Sequence, residues 1–490
     1  MKPLVVLENP KRWPLELEGV EVVSARDYLT DPRHADARRI TVFNLCRAYG
    51  YQRLGYYVSL LAEARGHRPL PSIATLRGML EGSILRMASA EVDPVLQRAL
   101  APLKGDSFEL SIYFGRNLGQ RYDALCRALF NEFPMPLMRA RFERTRGGWR
   151  LARLRPVATA EIPGGHRPFV LKQAQAFFRR GAPGVRARTT FRYDLAMLWS
   201  EDDPESPSDA RAVRAFEAAF GRVDIGMDLV GPGDLGRVAE YDALFLRETT
   251  RVDHHTYRFA RRAEAAGLVV VDDPDSIVRC TNKVFQHELF HRHGIPTPPT
   301  VIVHDADQDV AGAVGLPCVL KAPDGAFSRG VRKVDTREVL AETLAELLED
   351  SDLVVAQGFT PSAFDWRVGL LGGEALWAAR YHMVKGHWQI ARGDGRGRRY
   401  GKVEARALES VPEPVLELAL RAGGLVGQGL YGVDLKELSD GRLLVMEVND
   451  NPNLEAGYED AVLGEVLYDR IAAWFRARLD ARGGSGGNGA

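Results

Sequence analysis

Glu447 and Asn449 stand two residues apart in the apolar run LLVMEVNDNPN (443–453), and Asp434 stands in the run YGVDLKEL (431–438) just before it. Strand alternation turns Glu447 and Asn449 to one face, and Leu444, Met446 and Val448 to the other. The intervening SDGR, Ser439 to Arg442, has the glycine-containing chemistry of a hairpin turn, which would set the Asp434 carboxylate opposite that pair. Two carboxylates and an amide oxygen form a hard-oxygen donor set. Such a set suits Mg²⁺, which keeps several waters and takes its other ligands from nucleotide phosphates. The plainer alternative is a hairpin with solvated polar positions.

Upstream segments carry cations and loops suited to phosphate. TNKVFQHELFHRHGIPTPPT (281–300) reads as a helix with Lys283 near its start, ended by Gly294 and Pro296, so that a cation sits where a strand hands over to a helix. GLPCVLKAPDGAFSRGV (315–331) reads as a buried strand bearing Lys321, then a loop with Gly325, Ser328 and Gly330. Backbone N–H groups in such a loop can fold over phosphates, and an ammonium is a compact charge for phosphate oxygens. LVVAQGFTPSAFDWRVGLLGG (353–373) offers a strand, an exposed linker at Gln357 to Phe359 whose backbone could edge against adenine, and Asp365 with Arg367. Arg380 follows on the next strand. Singly these signals are weak; their order is the evidence.

The elements that position these residues belong to an ordinary globular composition. The chain has 490 residues, 45% hydrophobic and 27% charged, enough for about two to four domains. No run approaches the roughly 20 apolar residues that span a bilayer, and the apolar segment of MKPLVVLENPKRW is too short for a signal peptide, so a cytoplasmic location and no membrane partner are expected. Cys46, Cys126, Cys280 and Cys318 are far apart and fit no metal spacing, which favours buried free thiols. The net charge of zero hides an asymmetry: residues 1–190 carry 31 Lys+Arg against 17 Asp+Glu. A basic front could recruit an acidic peptide, a small polyacid or nucleic acid, although complementarity between the chain's own domains would give the same count. His254 and His255 are adjacent, so their side chains should diverge, and packing or surface roles are favoured over metal binding. GGLVGQG (423–429) imitates a dinucleotide fingerprint but follows a helix instead of a strand.

The front region is α/β material: RITVFNL, SFELSIYFG and MPLMRARFE as strands, a helix with Leu54, Tyr57, Val58 and Leu61 ended by Gly66, and another near Gln120 to Phe130. A second α/β unit begins at YDLAMLWS, with a helix from Ala210 to Phe220 and strands in EYDALFLRE and GLVVVDDP, implying a partly parallel sheet. Beyond Asn282 come strands, glycine loops and two amphipathic helices, one with Val415, Leu418, Ala419 and Ala422 on its buried face. The tail GGSGGNGA has linker composition and should be disordered.

On these residues the chain, from about Tyr193 onward, resembles the ATP-grasp ligases, specifically the RimK-like group related to the ribosomal-protein glutamate ligase, and its front resembles the amino-terminal extension of a long-chain subset. The resemblance implies an α/β fold, α+β in the ATP-grasp part. The expected domains are a basic α/β domain at 1–189, a pre-ATP-grasp α/β domain at 190–280, a two-lobed ATP-grasp domain at 281–480 and a tail at 481–490. It further implies that Lys283 and Lys321 contact ATP phosphates, with Ser328 in the phosphate loop, that Gln357 and Phe359 form the adenine hinge, and that Asp365 contacts ATP. Asp434, Glu447 and Asn449 match ligands of two Mg²⁺ ions, which Mn²⁺ can replace, with Glu447 bridging. The implied reaction joins a carboxylate to an amine through an acylphosphate. The expected substrates are an amino acid such as glutamate and an acidic peptide, protein or small amino compound; a homo-oligomer is expected and a nucleic-acid partner is not.

Arg380 and Arg367 are the candidates for holding the carboxylate and acylphosphate, because a guanidinium fork matches both; for Arg367 an ion pair with Asp365 or another carboxylate of its strand is the alternative. Lys385 to Lys402 reads as a loop that closes over substrate or is merely disordered. The sequence departs from the family at Gly358, where an acidic hinge residue is expected, at bulky Phe327 and Arg329 in the phosphate loop, and at Gln389, Ile390 and Ala391, near the place of an Arg-Ser-Asn element. Two other readings stay open: a nucleotide-binding regulatory or scaffold protein without ligation, and ATP-dependent transfer to a non-amine acceptor.

Overall fold

The second half of the chain builds three of its sheets from short, β-branched and aromatic runs. The computed structural model describes residues 2–12, 20–35, 40–80, 92–181, 191–203, 205–324, 331–384, 391–393 and 398–484. Two units emerge: Met1–Thr190 with Gly233–Glu240, and Phe191–Pro232 with Tyr241–Ala490.

In the first unit, β1 (Lys2–Leu7), β2 (Glu21–Ser24), β3 (Ile40–Asn44) and β4 (Arg68–Leu70) form a parallel sheet in the order β2-β1-β3-β4. The helix Leu54–Ala64 buries Val58 and Ala62 and is ended by Gly66 at φ +69°, a conformation that costs glycine little. A second, antiparallel sheet contains β5 (Ser107–Tyr113), β6 (Leu137–Thr145) and β7 (Gly148–Pro156). Its alternation is strict on one side: Leu110, Ile112, Met138, Ala140, Phe142 and Leu154 enter the core. The turn Gly233–Glu240 belongs to this unit. Gly236 N–H donates to Asn131 Oδ1 at 3.2 Å, and a Cβ on Gly236 would lie 3.1 Å from the Phe130 ring.

The second unit opens with β8 (Tyr193–Leu198), β9 (Ile225–Val230), β10 (Ala243–Leu246) and β11 (Val269–Val271), all parallel, in the order β11-β10-β8-β9. The helix Ala210–Arg222, capped by Asp209, packs Phe216 and Phe220 against Phe245. A four-stranded antiparallel sheet follows, β12 (Thr300–Val303), β13 (Cys318–Lys321), β14 (Val331–Val334) and β15 (Val354–Gly358), ordered β12-β15-β13-β14. The next strands are β16 (Phe364–Leu371), β17 (Glu374–His382), the pair β18 (Ala391–Gly393) and β19 (Arg398–Tyr400), and then β20 (Val403–Arg406), β21 (Leu430–Glu437) and β22 (Leu443–Asp450). Five of them make an antiparallel sheet ordered β20-β17-β16-β21-β22. One face of that sheet is core: Trp366, Val368, Val433, Val445 and Val448 pack with Val415, Leu418 and Ala422 of the helix Glu413–Gly424.

Several expectations change. The helix Lys283–Arg292 is preceded by another helix, Pro274–Thr281, because Asp273 caps that segment and Pro274 fits its first turn, so Lys283 sits at a helix-to-helix joint and not after a strand. The β21–β22 ladder shifts register between Asp434 and Leu435. That bulge puts Val445 and Val448 in the core and leaves Leu444 and Met446 out of it. The rings of His254 and His255 lie 3.8 Å apart instead of diverging, since His254 is the extended N-cap and His255 the first helical residue. The last helix, Glu465–Gly484, runs past the expected tail boundary at 481. All four cysteines are free and buried, and no helix among the described residues is long and apolar enough to cross a membrane.

Candidate active site

Register brings the three oxygen donors together. Asp434 pairs with Glu447 and Gly432 with Asn449, so all three side chains share the face of the sheet opposite the helix-packed core. Asn449 Nδ2 lies 3.2 Å from Asp434 Oδ2 and 3.4 Å from Glu447 Oε1. A half-turn of the carboxamide would present Oδ1 in place of Nδ2 and complete an oxygen set. The donor chemistry therefore fits Mg²⁺, which Asp434, Glu447 and Asn449 would hold.

Arg367 grips one of these donors. Its Nε and Nη2 donate to Asp434 Oδ1 and Oδ2, both at 2.6 Å, and its guanidinium lies over the Tyr381 ring at 4.8 Å. Tyr381 in turn donates its hydroxyl to Glu459. Arg367 thus ion-pairs with a carboxylate on the neighbouring strand, and not with Asp365 or another carboxylate of its own strand. Burial pushes the Asp434 carboxyl above its ordinary value and Arg367 pulls against that. For Glu447 burial also acts upward, but Lys283, Lys321 and Arg367 outweigh it and hold the carboxyl below the usual range.

The lysines face this cluster across a cleft of about 390 Å³ lined by Lys283, Lys321, Gln286, Gln357, Thr300, Phe290, Val355, Met446 and Glu447, among others. Lys321 Nζ donates to Gln357 Oε1 at 2.8 Å, and Gln357 Nε2 donates to Thr300 Oγ1 at 3.1 Å. Burial lowers the Lys321 pKa to about 8, opposed by Glu447 and assisted by Lys283 and Lys436. The Lys283 backbone N–H donates to Pro323 O at 2.8 Å, and Asn282, which caps the helix, donates to Asp324 Oδ1 at 2.8 Å. These bonds fasten the helix start to the segment following β13.

Gln357 to Phe359 is not an exposed linker. Gln357 is buried inside β15, paired on both sides with Thr300 and Val319, and the Gly358 and Phe359 N–H groups donate to Pro299 O and Pro317 O. What Gln357 brings to the cleft is its side chain. Asp365 accepts from Lys436 Nζ at 2.6 Å and Ser362 Oγ at 2.7 Å, two register positions along from the Arg367–Asp434 pair and on the same face.

Arg380 does not join the cluster. It pairs with Trp366, so it stands on the core-side face, its guanidinium 4.3 Å from the Phe364 ring and 4.4 Å from that of Trp366. Its neighbour Tyr381 occupies the site face instead. Ser328, with Gly325, Phe327, Arg329 and Gly330, lies outside the described residues, as do Gln389 and Ile390; Ala391 begins β18.

Gln286 was missed. β22 is an edge strand whose outer backbone groups need partners. Gln286 supplies them: its Nε2 donates to Val448 O at 2.9 Å, and its Oε1 accepts from Val448 N–H at 2.8 Å. Val445 N–H completes the edge by donating to Pro296 O at 2.8 Å. The helix that carries Lys283 is thereby clipped to the residue between Glu447 and Asn449. The available signal was a glutamine four residues before Phe290, on the buried face of the helix. Arg247 was missed as well. Wholly buried, it donates to Ser208 Oγ, Asn451 Oδ1 and the carbonyls of Pro207 and Pro452, pinning the turn after β22, where Asn451 adopts φ +48°.

A lysine-lined cleft beside one antiparallel sheet, facing a carboxylate–carboxylate–amide cluster on another, defines an ATP-grasp arrangement. Residues 25–173 match the RimK-like ATP-grasp N-terminal domain, and residues 289–456 match the D-Ala–D-Ala ligase C-terminus. The chain belongs to the ATP-grasp superfamily, in its RimK-like group. It is 29% identical over 228 residues to the alpha-aminoadipate–LysW ligase LysX of Saccharolobus solfataricus, covering 44% of this chain and 78% of that protein. To the LysX of Sulfolobus acidocaldarius it is 26% identical over 298 residues, 57% of this chain and 100% of the relative. To the ribosomal protein bS6–L-glutamate ligase of Shigella boydii it is 27% identical over 233 residues, 45% and 72%.

Proposed function

We propose that this protein is an ATP- and Mg²⁺-dependent carboxylate–amine ligase that forms an amide bond through an acylphosphate, joining an amino acid to a peptide, protein or small amino compound. The observation that carries the reading is the cleft in which Lys283, Lys321 and Glu447 meet, with Asp434 and Asn449 beside Glu447. The relatives are named for joining alpha-aminoadipate to LysW and glutamate to bS6, which supports an amino acid as one substrate and a protein or peptide as the other.

In this reading Lys321 and Lys283 hold the ATP phosphates, while Phe290, Val355 and Met446 offer an apolar wall to the purine. Gln357 aims Lys321. Asp434, Glu447 and Asn449 would hold Mg²⁺, two ions in this reading and replaceable by Mn²⁺, which would supply charge neutralisation for phosphoryl transfer. Arg367 acts by positioning: it holds Asp434 in orientation beside Glu447. A substrate carboxylate oxygen attacks the γ-phosphorus and ADP leaves. The acceptor amine then attacks the acyl carbon, the carbon–nitrogen bond forms, the bond to phosphate oxygen breaks, and the amine proton passes to solvent. No side-chain nucleophile is needed.

The deciding experiment measures ADP release against a panel of amino acids and acidic peptides and weighs the products. A mass gain of one residue is expected; ATP turnover with no condensed product overturns the ligase reading.

A further inference from the structure

The β5–β6–β7 sheet of the first unit has one face in the core; its other face is buried at the Tyr113–Leu137 end and open around Arg141 and Arg153. On the open face the register sets Arg139 directly opposite Arg155, and Arg141 directly opposite Arg153. Like charges opposed across a ladder destabilise a sheet, and the one carboxylate in register with them, Glu109 on β5, stands opposite Arg141 alone. Arg141 and Arg153 are exposed. Neutralisation is partial: Arg155 bonds Glu161 at 2.9 Å, Arg150 bonds Glu143 at 3.1 Å, and Arg139 Nε donates to the neutral Ser111 hydroxyl at 3.3 Å. Arg141 reaches Glu143 only at 3.7 Å, and Arg153 makes no ion pair with a described residue.

We propose that this arginine ladder is a docking surface for an acidic peptide segment. Guanidinium forks match carboxylates bidentately, and paired arginines on neighbouring strands offer a row of such forks to an extended chain. Single-stranded nucleic acid fits less well, because its recognition on a sheet face relies on aromatic rings for stacking. Here Phe108, Phe142 and Trp149 lie on or against the core side, and the exposed part of the ladder face carries no ring. The surrounding unit has the matching sign, with an excess of 14 basic residues over acidic ones in residues 1–190. The inference extends the ligase reading, in which the acidic peptide is a substrate, but its test is binding and needs no turnover.

The test titrates the full chain into a fluorescein-labelled oligoglutamate peptide and follows anisotropy at low and physiological salt. Arg141→Gln with Arg153→Gln should weaken binding by roughly five- to tenfold at low salt and flatten its salt dependence. Arg33→Gln with Arg98→Gln, which removes the same charge from exposed positions elsewhere in the unit, should change it little. Equal loss in both double variants, or none in the first, overturns the proposal. So does tighter binding of a labelled RNA of equal charge, which would assign the face to nucleic acid. If the peptide binds at the ladder but no condensed product ever forms, the docking surface stands and the ligase reading falls.

Discussion

Lys321 stands between two demands at the scale of a single residue. Burial lowers its pKa from 10.5 to about 8. Between those values the folded chain has lost a proton that the unfolded chain keeps, so this group's contribution to stability rises with pH across that window, and its cost is fully present below pH 8. Nucleotide binding runs the other way, because the charged ammonium is the form that meets phosphate. ATP affinity, read by calorimetry with a non-hydrolysable analogue, should fall above pH 8 by up to about tenfold per pH unit, and Lys321→Met should be weak and flat. A wild-type affinity that ignores pH between 7 and 9 would show that Lys321 is not the phosphate contact. Glu447 makes the complementary case. Glu447→Ala should cut Mg²⁺-dependent ADP formation at least about a hundredfold while circular dichroism stays native, since its side chain lies on the site face and not among the core valines. Unchanged turnover in that folded variant would remove the metal assignment.

At the scale of elements, the donors were legible and their supports were not. Asp434, Glu447 and Asn449 announce themselves through a period of two, a local property that any antiparallel pairing preserves. The bulge at Met446 is not local, because it depends on how β22 is clipped along its outer edge by Gln286 and Pro296, some 150 residues earlier in the chain. Arg380 shows the same limit. Arg380 and Tyr381 are neighbours, and which one faces the site is decided by the pairing of β17 with β16, where Trp366 takes Arg380 to its own side. Chemistry alone favours the arginine; register selects the tyrosine. The Gln286 clip gives this scale its prediction. Gln286→Leu keeps the bulk but strands the Val448 N–H and C=O, and should cost about 2–4 kcal/mol in urea unfolding. Because the same clip spaces Lys283 from Glu447, Mg²⁺-dependent nucleotide affinity should fall with it; a destabilised variant with wild-type affinity would mean that the clip is structural alone.

At the scale of the whole molecule, chain order and spatial units do not coincide. Composition suggests a boundary near residue 190, where the strand-and-helix pattern restarts, and nothing in the run PGDLGRVAE shows that the chain later returns to its first unit. Yet Gly233–Glu240 belongs to that unit, with Gly236 against Asn131 and Phe130, and Leu235 and Val238 buried. Burying two such side chains is worth about 3–6 kcal/mol together, a large share of a domain's net stability. A chain cut to residues 191–490 would present both to water. It should therefore aggregate or melt early, and Leu235→Lys with Val238→Lys should restore its solubility and its nucleotide-dependent rise in melting temperature. The same pair in the full-length chain should be destabilising, because there the apolar side chains are buried. If the truncated wild-type sequence is soluble and binds nucleotide without those changes, the returning segment contributes little, and the boundary near residue 190 is sufficient to separate the two units.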